Sequence, residues 1–409
     1  METNRALKEL DNIFLCLGLS YDRLSKRDHI KRRSIYIFNF IWHNCDVFGS
    51  LVWFFVAFQK GASFIELTYI APCFAFSCLA NIRTYSVISN EEKIYELIAT
   101  LRELEDRAMY GTEITEIFRE DTKFLHKVLK VSKVLNFALI FTFFITPLIL
   151  TLVKYLNTGK WDLLLPFLIA YPFDSHDIRY WPFVYLHQLW SEVIAILNIC
   201  STDNLFYICC MFIRIQFRIL QTKFSKINIH RSLNADNLKL EFTELVKWHQ
   251  RLIRSLKILD QVYSKSTLLY FLTSSMIICL TGFNVMSMED KAFTSMFLTF
   301  LLTSLLQIFF ICFFGDLVMQ SVCYNDLKVI IILNVTETNQ VFNYIENSVA
   351  TTSLGLGLRL LNLAQMASKL TAYGFADVNL RAFMSVGIYF VCILIYSLLL
   401  KLICIFYRF

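Results

Sequence analysis

The sequence predicts an all-α polytopic membrane protein with seven transmembrane helices, a cytoplasmic amino terminus and an extracellular carboxyl terminus. Three observations predict it: the composition, the apolar runs and the distribution of Lys and Arg. Of the 409 residues, 56% are hydrophobic and 18% are charged, and Phe alone occurs 39 times. Soluble proteins average about 25% charged residues, so we expect a lipid bilayer to surround most of this chain.

The apolar runs locate the spans. A helix that crosses the hydrocarbon core needs about 20 mostly apolar residues. Five runs meet this requirement clearly, and two weaker runs precede them. The predicted spans, in chain order, are 34–57, 62–82, 134–153, 183–207, 266–287, 292–315 and 382–400. The charged stretch before the first run lacks the pattern of a secretory signal, so we expect an uncleaved first span and one membrane domain over residues 1–409.

The distribution of Lys and Arg gives the orientation. There are 8 before the first span, 9 between the second and third, and 11 between the fourth and fifth, whereas the three intervening loops hold 1, 3 and 1. The positive-inside rule therefore predicts a cytoplasmic amino terminus. Receptors that couple to G proteins have the opposite orientation, and their Asp-Arg motif after the third span and Asn-Pro-x-x-Tyr motif are absent from this sequence. That class stays as a less favoured alternative, as does a transporter.

Three long connections have their own patterns. The segments 90–130 and 212–265 carry apolar residues at helical spacing and are predicted to be cytoplasmic helical extensions of the spans. The outer loop 154–183 contains three prolines among aromatic residues, which disfavours a helix and favours a folded lid over the outer ends of the spans. The apolar stripe of the first segment consists of Ile94, Leu97, Leu101 and Leu104.

Motifs for catalysis, metal binding and cofactors are missing from the sequence. It contains no CxxC, HExxH, GxSxG or P-loop motif, so we predict neither an enzyme nor a metal or cofactor site. The net charge of +6 is too small and too dispersed for a nucleic-acid partner. Ionisable side chains at membrane depth are costly, so Asp46, Glu66, Glu192 and Asp316 should face the bundle, a water-filled cavity or the interface. Glu192 lies deeper than Asp316 and is the better functional candidate of the two.

The outer halves of the spans combine aromatic and small polar side chains. A mostly apolar pocket with a few polar groups suits a small volatile or lipid-like ligand. Ordinary helix packing remains an equal interpretation for any single residue. The candidate ligand-binding residues are Tyr69, Phe143, Phe144, Tyr185, Trp190 and Phe283. We expect replacement of Phe143 or Trp190 by Ala to change ligand preference more than assembly.

Several runs of residues resemble those of a known family. The outer loop contains Pro166-Phe167, then 170–174 (AYPFD), and Tyr185 and Gln188 follow in the fourth span. The sixth span ends with 313–316 (FFGD). Near the carboxyl terminus stand the runs 360–366 (LLNLAQM), 370–372 (LTA), 374–375 (GF) and 383–386 (FMSV). Together with the predicted topology, these runs resemble insect odorant receptors and are similar to those of moths.

The resemblance implies an odorant-gated cation channel in the dendritic plasma membrane of an olfactory sensory neuron. In such a channel this chain would be the tuning subunit, surrounded by membrane lipid, in a heterotetramer with the odorant receptor co-receptor. The position of the family's ligand pocket implies that Phe74, Thr142 and Ile145 are further ligand-binding candidates. It also implies a ligand-binding role for Phe283. The resemblance also implies a pore gate at Leu398, where a ring of apolar side chains closes the pore by dewetting. A gustatory receptor, a sibling channel, is the alternative that stays open.

Overall fold

The computed structural model describes residues 2–108, 111–226, 235–287, 291–338, 370–372, 376–379, 381 and 384–385. Eight helices account for most of this part of the chain, which confirms the all-α prediction. They are α1 (Glu2–Leu17), α2 (Lys26–Gln59), α3 (Phe64–Ser89), α4 (Glu91–Ala108), α5 (Thr112–Thr158), α6 (Trp181–Lys226), α7 (Ala235–Ser287) and α8 (Lys291–Thr338). The strands β1 (Thr371–Ala372) and β2 (Ala376–Asp377) form one short antiparallel pair.

Five of the seven predicted spans lie within long apolar helices. In the part of the chain that the structure describes, α2, α5, α6, α7 and α8 are long and apolar enough to cross a membrane. The run 62–82 falls almost entirely within α3, which is not among these five. The predicted seventh span, 382–400, lies outside the described residues except for Met384 and Ser385, and so does the predicted pore gate Leu398.

Local sequence signals explain where several helices begin and end. The side chain of Ser63 accepts the backbone N–H of Glu66 at 3.3 Å, and the carboxylate of Glu66 accepts the N–H of Ser63 at 2.9 Å, so a capping box starts α3. Gly159 ends α5 with a φ of +69°, a conformation that glycine adopts without steric cost. Because α5 continues to Thr158 and α6 starts at Trp181, the loop predicted at 154–183 spans 159–180.

Helix α6 runs through the centre of the bundle. It contacts α1, α2, α3, α4, α5, α7 and α8, and most of its side chains from Ile194 to Phe224 are buried. By contrast, α2 and α5 present rows of exposed apolar side chains, including Phe48, Phe55, Phe137 and Phe141. Large exposed apolar surfaces of this kind suit contact with lipid.

The amino-terminal helix α1 is attached to α4 by an unusual cap. The carboxylate of the buried Glu105 accepts the backbone N–H groups of Glu2 at 2.5 Å and of Thr3 at 3.2 Å. These N–H groups have no partner within their own helix, and an anion at a helix amino terminus is favourable. The apolar stripe of α4, which begins at Ile94, is buried in the same region. The stripe therefore packs within the molecule.

Candidate functional site

A partly open cavity lies among α2, α3, α5, α6, α8 and the loop 159–180. Its volume is about 50 Å³, more than the roughly 15 Å³ that one ordered water needs. Most of the wall is apolar, formed by Val47, Ile70, Phe74, Phe76, Leu139, Phe143, Phe167, Ile169, Ala195, Ile196 and Phe300. Its more polar members are Asp46, Ser50, Cys73, Ser77, Ser191 and Glu192. This combination of an apolar wall and a few polar groups is typical of small-molecule sites.

Aromatic contacts hold one side of this cavity together. The rings of Phe143 and Phe167 are stacked, with centroids 5.6 Å apart and an interplanar angle of 24°. Phe300 meets Phe143 edge-to-face at 6.0 Å and Phe76 at 5.3 Å. Edge-to-face and offset-stacked pairs contribute about 0.5–1.5 kcal/mol each beyond burial. The cluster therefore links α3, α5, α8 and the loop at the cavity wall.

Side-chain and backbone hydrogen bonds fix the loop 159–180 over the helices. The amide of Gln188 binds both backbone groups of Phe167: its Oε1 accepts the N–H at 3.0 Å, and its Nε2 donates to the carbonyl at 3.2 Å. The carbonyl of Gly49 accepts the N–H of Ala170 at 3.1 Å. A Cβ atom at Gly49 would overlap the side chain of Ile169, so the close approach of α2 to the loop requires glycine at this position.

Asp46 is one of two buried carboxylates in the wall. Its Oδ1 lies 2.9 Å from Nδ1 of His187 and accepts a hydrogen bond from the hydroxyl of Tyr171 at 3.2 Å. The ring of His187 stacks on Trp42, with centroids 4.7 Å apart. Burial, together with the neighbouring carboxylate of Asp46, raises the pKa of Tyr171 in the loop. The second oxygen of Asp46, Oδ2, has no hydrogen-bond partner.

Glu192 is the second carboxylate, on α6. The residue is 7% exposed, and neither carboxylate oxygen has a hydrogen-bond partner. The neighbouring Ser191 is paired through its Oγ with Nδ1 of His43 at 3.0 Å. The lining of the cavity, as far as the structure describes it, contains these two acids and neither Lys nor Arg. The cavity therefore has an acidic character within an otherwise apolar wall.

The predicted ligand-binding residues do not all meet at this cavity. Phe74 and Phe143 line it. Tyr69 packs edge-to-face against Phe293 at 5.8 Å and Phe297 at 5.2 Å, which joins α3 to α8. Phe283 of α7 packs edge-to-face against Phe64 at 5.5 Å. These three contacts hold the helices together, and neither Tyr69 nor Phe283 is in the cavity lining.

The remaining predicted residues lie on α5 and α6. Thr142 donates to the carbonyl of Leu139 at 3.0 Å, and Ile145 is half-buried. The hydroxyl of Tyr185 donates to the carbonyl of Phe144, and the two rings are in contact. Trp190 is 37% exposed and shares an open apolar groove on the outer surface with Phe144. None of these five residues is in the cavity lining.

Sequence reasoning missed part of the wall and anticipated another part. Phe167 and Ile169 come from the proline-containing loop, and Phe300 comes from α8. For Phe167 and Ile169, the only sequence signal was an apolar side chain within a loop. The cost of charge at membrane depth pointed to Asp46 and Glu192. Of the other two acids with this prediction, Glu66 caps α3 and Asp316 accepts a hydrogen bond from Gln320 at 2.7 Å.

Comparisons with known proteins give consistent matches. A family model described as 7tm Odorant receptor matches residues 63–323. Odorant receptor 67c of Drosophila melanogaster is 24% identical over 287 residues, covering 69% of this chain and 70% of the relative. Odorant receptor 85c of the same species is 25% identical over 304 residues, covering 73% and 76%.

A solved structure matches nearly the whole chain. The insect olfactory receptor OR5 from Machilis hrabei, in complex with eugenol, superimposes with a TM-score of 0.77 at 15% sequence identity. The match covers 98% of this chain and 100% of the receptor. A second structure of that receptor gives a TM-score of 0.69 at 16% identity. At such low identity the likeness establishes the fold.

Proposed function

The chain belongs to the odorant receptor family, and from this premise we propose that it is a subunit of an odorant-gated cation channel. The family model covers residues 63–323, and the family is one of membrane receptors, not of enzymes, as the sequence predicts. The observation that carries the proposal is the mostly apolar cavity with few polar groups, which is the kind of site a small volatile ligand needs.

In this proposal the ligand binds in the cavity. Phe74 and Phe143 contact it directly, together with Phe167 of the loop. The other predicted residues act through the packing of the same helices, except Trp190, which lies at the outer surface and does not contact the ligand. At about 50 Å³ the cavity is much smaller than the roughly 300–1,000 Å³ of sites for drug-sized molecules. The ligand is therefore small, or the aromatic wall moves when it binds.

The proposed channel has seven spans, with the amino terminus in the cytoplasm and the seventh span at 382–400. The distribution of Lys and Arg supports this orientation. The partner is the odorant receptor co-receptor in a heterotetramer, the gate includes Leu398, and the location is the dendritic plasma membrane of an olfactory sensory neuron. Gating requires that the ligand bind the open state more tightly than the closed state, since equal affinities shift no population.

The test is whole-cell current recording from cells that express this chain with and without an insect odorant receptor co-receptor. A panel of plant volatiles and of acetates, alcohols, aldehydes and amines is applied. We expect a fast cation current only in the co-expressing cells, and the current should persist when G proteins are blocked. A current that disappears under G-protein blockade, or the absence of any current with both proteins at the cell surface, would contradict the proposal.

A further inference from the structure

Glu192 differs from the other buried acids of this protein. The structure describes five buried Asp and Glu residues, and the other four have partners. Asp203 pairs with Arg83, Asp121 accepts from Arg218 at 2.8 Å, Glu105 caps α1 and Asp46 accepts from Tyr171. Burying an unpaired carboxylate costs free energy, and buried charges in proteins are normally paired. The unpaired carboxylate lines the cavity, so a bound molecule is positioned to pair with it.

We propose that the cavity binds a small protonated amine and that Glu192 is the carboxylate that pairs with its ammonium group. The inference rests on the proposed function, because it names the ligand class of the same site. An ammonium group offers three hydrogen-bond donors and no acceptor, which complements the acceptor oxygens of the ionised form of Glu192. The unpartnered Oδ2 of Asp46 provides a second acceptor in the same wall.

The charges of the wall favour a cation over a neutral ligand. The described lining contains Asp46 and Glu192 but neither Lys nor Arg. Among the described residues, His187 contacts Asp46, and His43 pairs with Ser191. The faces of Phe74, Phe143 and other wall rings attract cations, by about 0.5–2 kcal/mol per suitable contact. The apolar remainder of the wall accommodates the hydrocarbon part of the ligand, and the cavity volume limits that part to a few carbon atoms.

The test measures ligand binding to the purified full-length chain in lipid nanodiscs at a constant, neutral pH. Three probes share one five-carbon chain: pentylamine, pentan-1-ol and pentanal. A ligand that binds the folded state raises its unfolding temperature in a concentration-dependent way. We expect pentylamine to act at the lowest concentration of the three.

The variant Glu192→Gln keeps the shape of the side chain and removes its ability to ionise. We expect it to raise the half-saturating concentration of pentylamine by at least about tenfold, as for loss of a hydrogen bond to a charged group, and to leave that of pentan-1-ol unchanged. Glu116→Gln changes an acid on the exposed face of α5, outside the cavity lining, and should leave the affinity for all three probes unchanged.

Two results would overturn the amine site. One is a wild-type protein that responds to pentanal or pentan-1-ol at lower concentration than to pentylamine; this comparison needs no variant to fold. The other is an unchanged pentylamine affinity in a folded Glu192→Gln protein. Current recording in the presence of the co-receptor separates the two proposals: pentylamine binding without current contradicts the channel function and leaves the amine site supported.

Discussion

At the scale of single residues, the ion pair between Arg83 and Asp203 is the most deeply buried charge interaction of the described chain. It connects α3 to α6, and the guanidinium of Arg83 also lies 4.6 Å from the ring centroid of Tyr270 on α7. Both charged side chains are almost fully buried. A buried pair adds little stability relative to apolar residues of the same volume, but loss of one partner leaves an uncompensated charge.

We expect Asp203→Leu to destabilise the protein by about 3–5 kcal/mol, because it leaves the guanidinium of Arg83 without its anion. The double variant Arg83→Met with Asp203→Leu should recover most of this loss. The unfolding temperature in detergent measures both effects. Arg254→Gln is the control, since its pair with Glu96 is exposed and contributes at most about 1 kcal/mol. If Asp203→Leu were as stable as the wild type, this expectation would be wrong.

Phe143 and Trp190 allow a test of the cavity as the ligand site. Both were predicted from sequence as ligand-binding residues, but only Phe143 lines the cavity. We expect Phe143→Leu to change the ligand concentration for half-maximal current by about tenfold, the size of effect that a change in pocket volume produces. Trp190→Leu, on the outer surface, should leave it unchanged. If Trp190→Leu changed this concentration and Phe143→Leu did not, the ligand would bind in the groove beside Trp190.

At the scale of elements, the helices were predictable and their arrangement was not. An apolar run is a local property, so the sequence located the apolar stretches of α2, α5, α6, α7 and α8 that are long enough to cross a membrane. The wall of the cavity depends on helix rotation and on a loop that is anchored by Gln188 and Gly49, and neither has a local signal. A turn was also missed: Gly111, with a φ of +115°, precedes α5, so the segment 90–130 contains two helices.

An exposed ion pair at the contact of α4 with α7 provides a test of pH dependence. Arg251 binds the carboxylate of Glu103 and lowers the pKa of that carboxyl group. A group with a lowered pKa in the folded state contributes stability above its unfolded pKa of about 4.3. This contribution is lost as the pH falls through the folded-state pKa.

We therefore expect Arg251→Gln to lower the unfolding temperature slightly at neutral pH. The loss in free energy of unfolding should be less than about 1 kcal/mol, because the pair is exposed. The difference from the wild type should shrink as the pH falls below the unfolded pKa of Glu103 and disappear below its folded-state pKa. Thermal unfolding in detergent over a pH series measures it. A difference that persists at low pH would assign the effect of the substitution to packing instead of charge.

At the scale of the whole molecule, the distribution of charge makes a prediction about topology. With a cytoplasmic amino terminus, the sequon at 334–336 (NVT) lies in the cytoplasm, and the loop 159–180 lies outside. We expect Asn334 to carry no glycan. The double variant Asp174→Asn with His176→Thr creates a sequon at two exposed loop positions and should be glycosylated in insect cells. A mass shift on endoglycosidase treatment reports glycosylation at each site. A glycan on Asn334 and none on the engineered loop sequon would contradict the predicted orientation.

The central helix α6 has a consequence for how the protein is made. Its middle carries the polar run 198–204 (NICSTDN), and its most apolar segment has a mean hydropathy of 1.6, against 2.1 for α5 and 2.3 for α8. Lipid offers no partners for such side chains, whereas the finished bundle surrounds them with α3, α7 and α8. A nascent chain that paused after α6 would expose this helix before α7 and α8 exist. The polar side chains of α6 therefore gain their partners on α7 and α8 only after those helices have been synthesised.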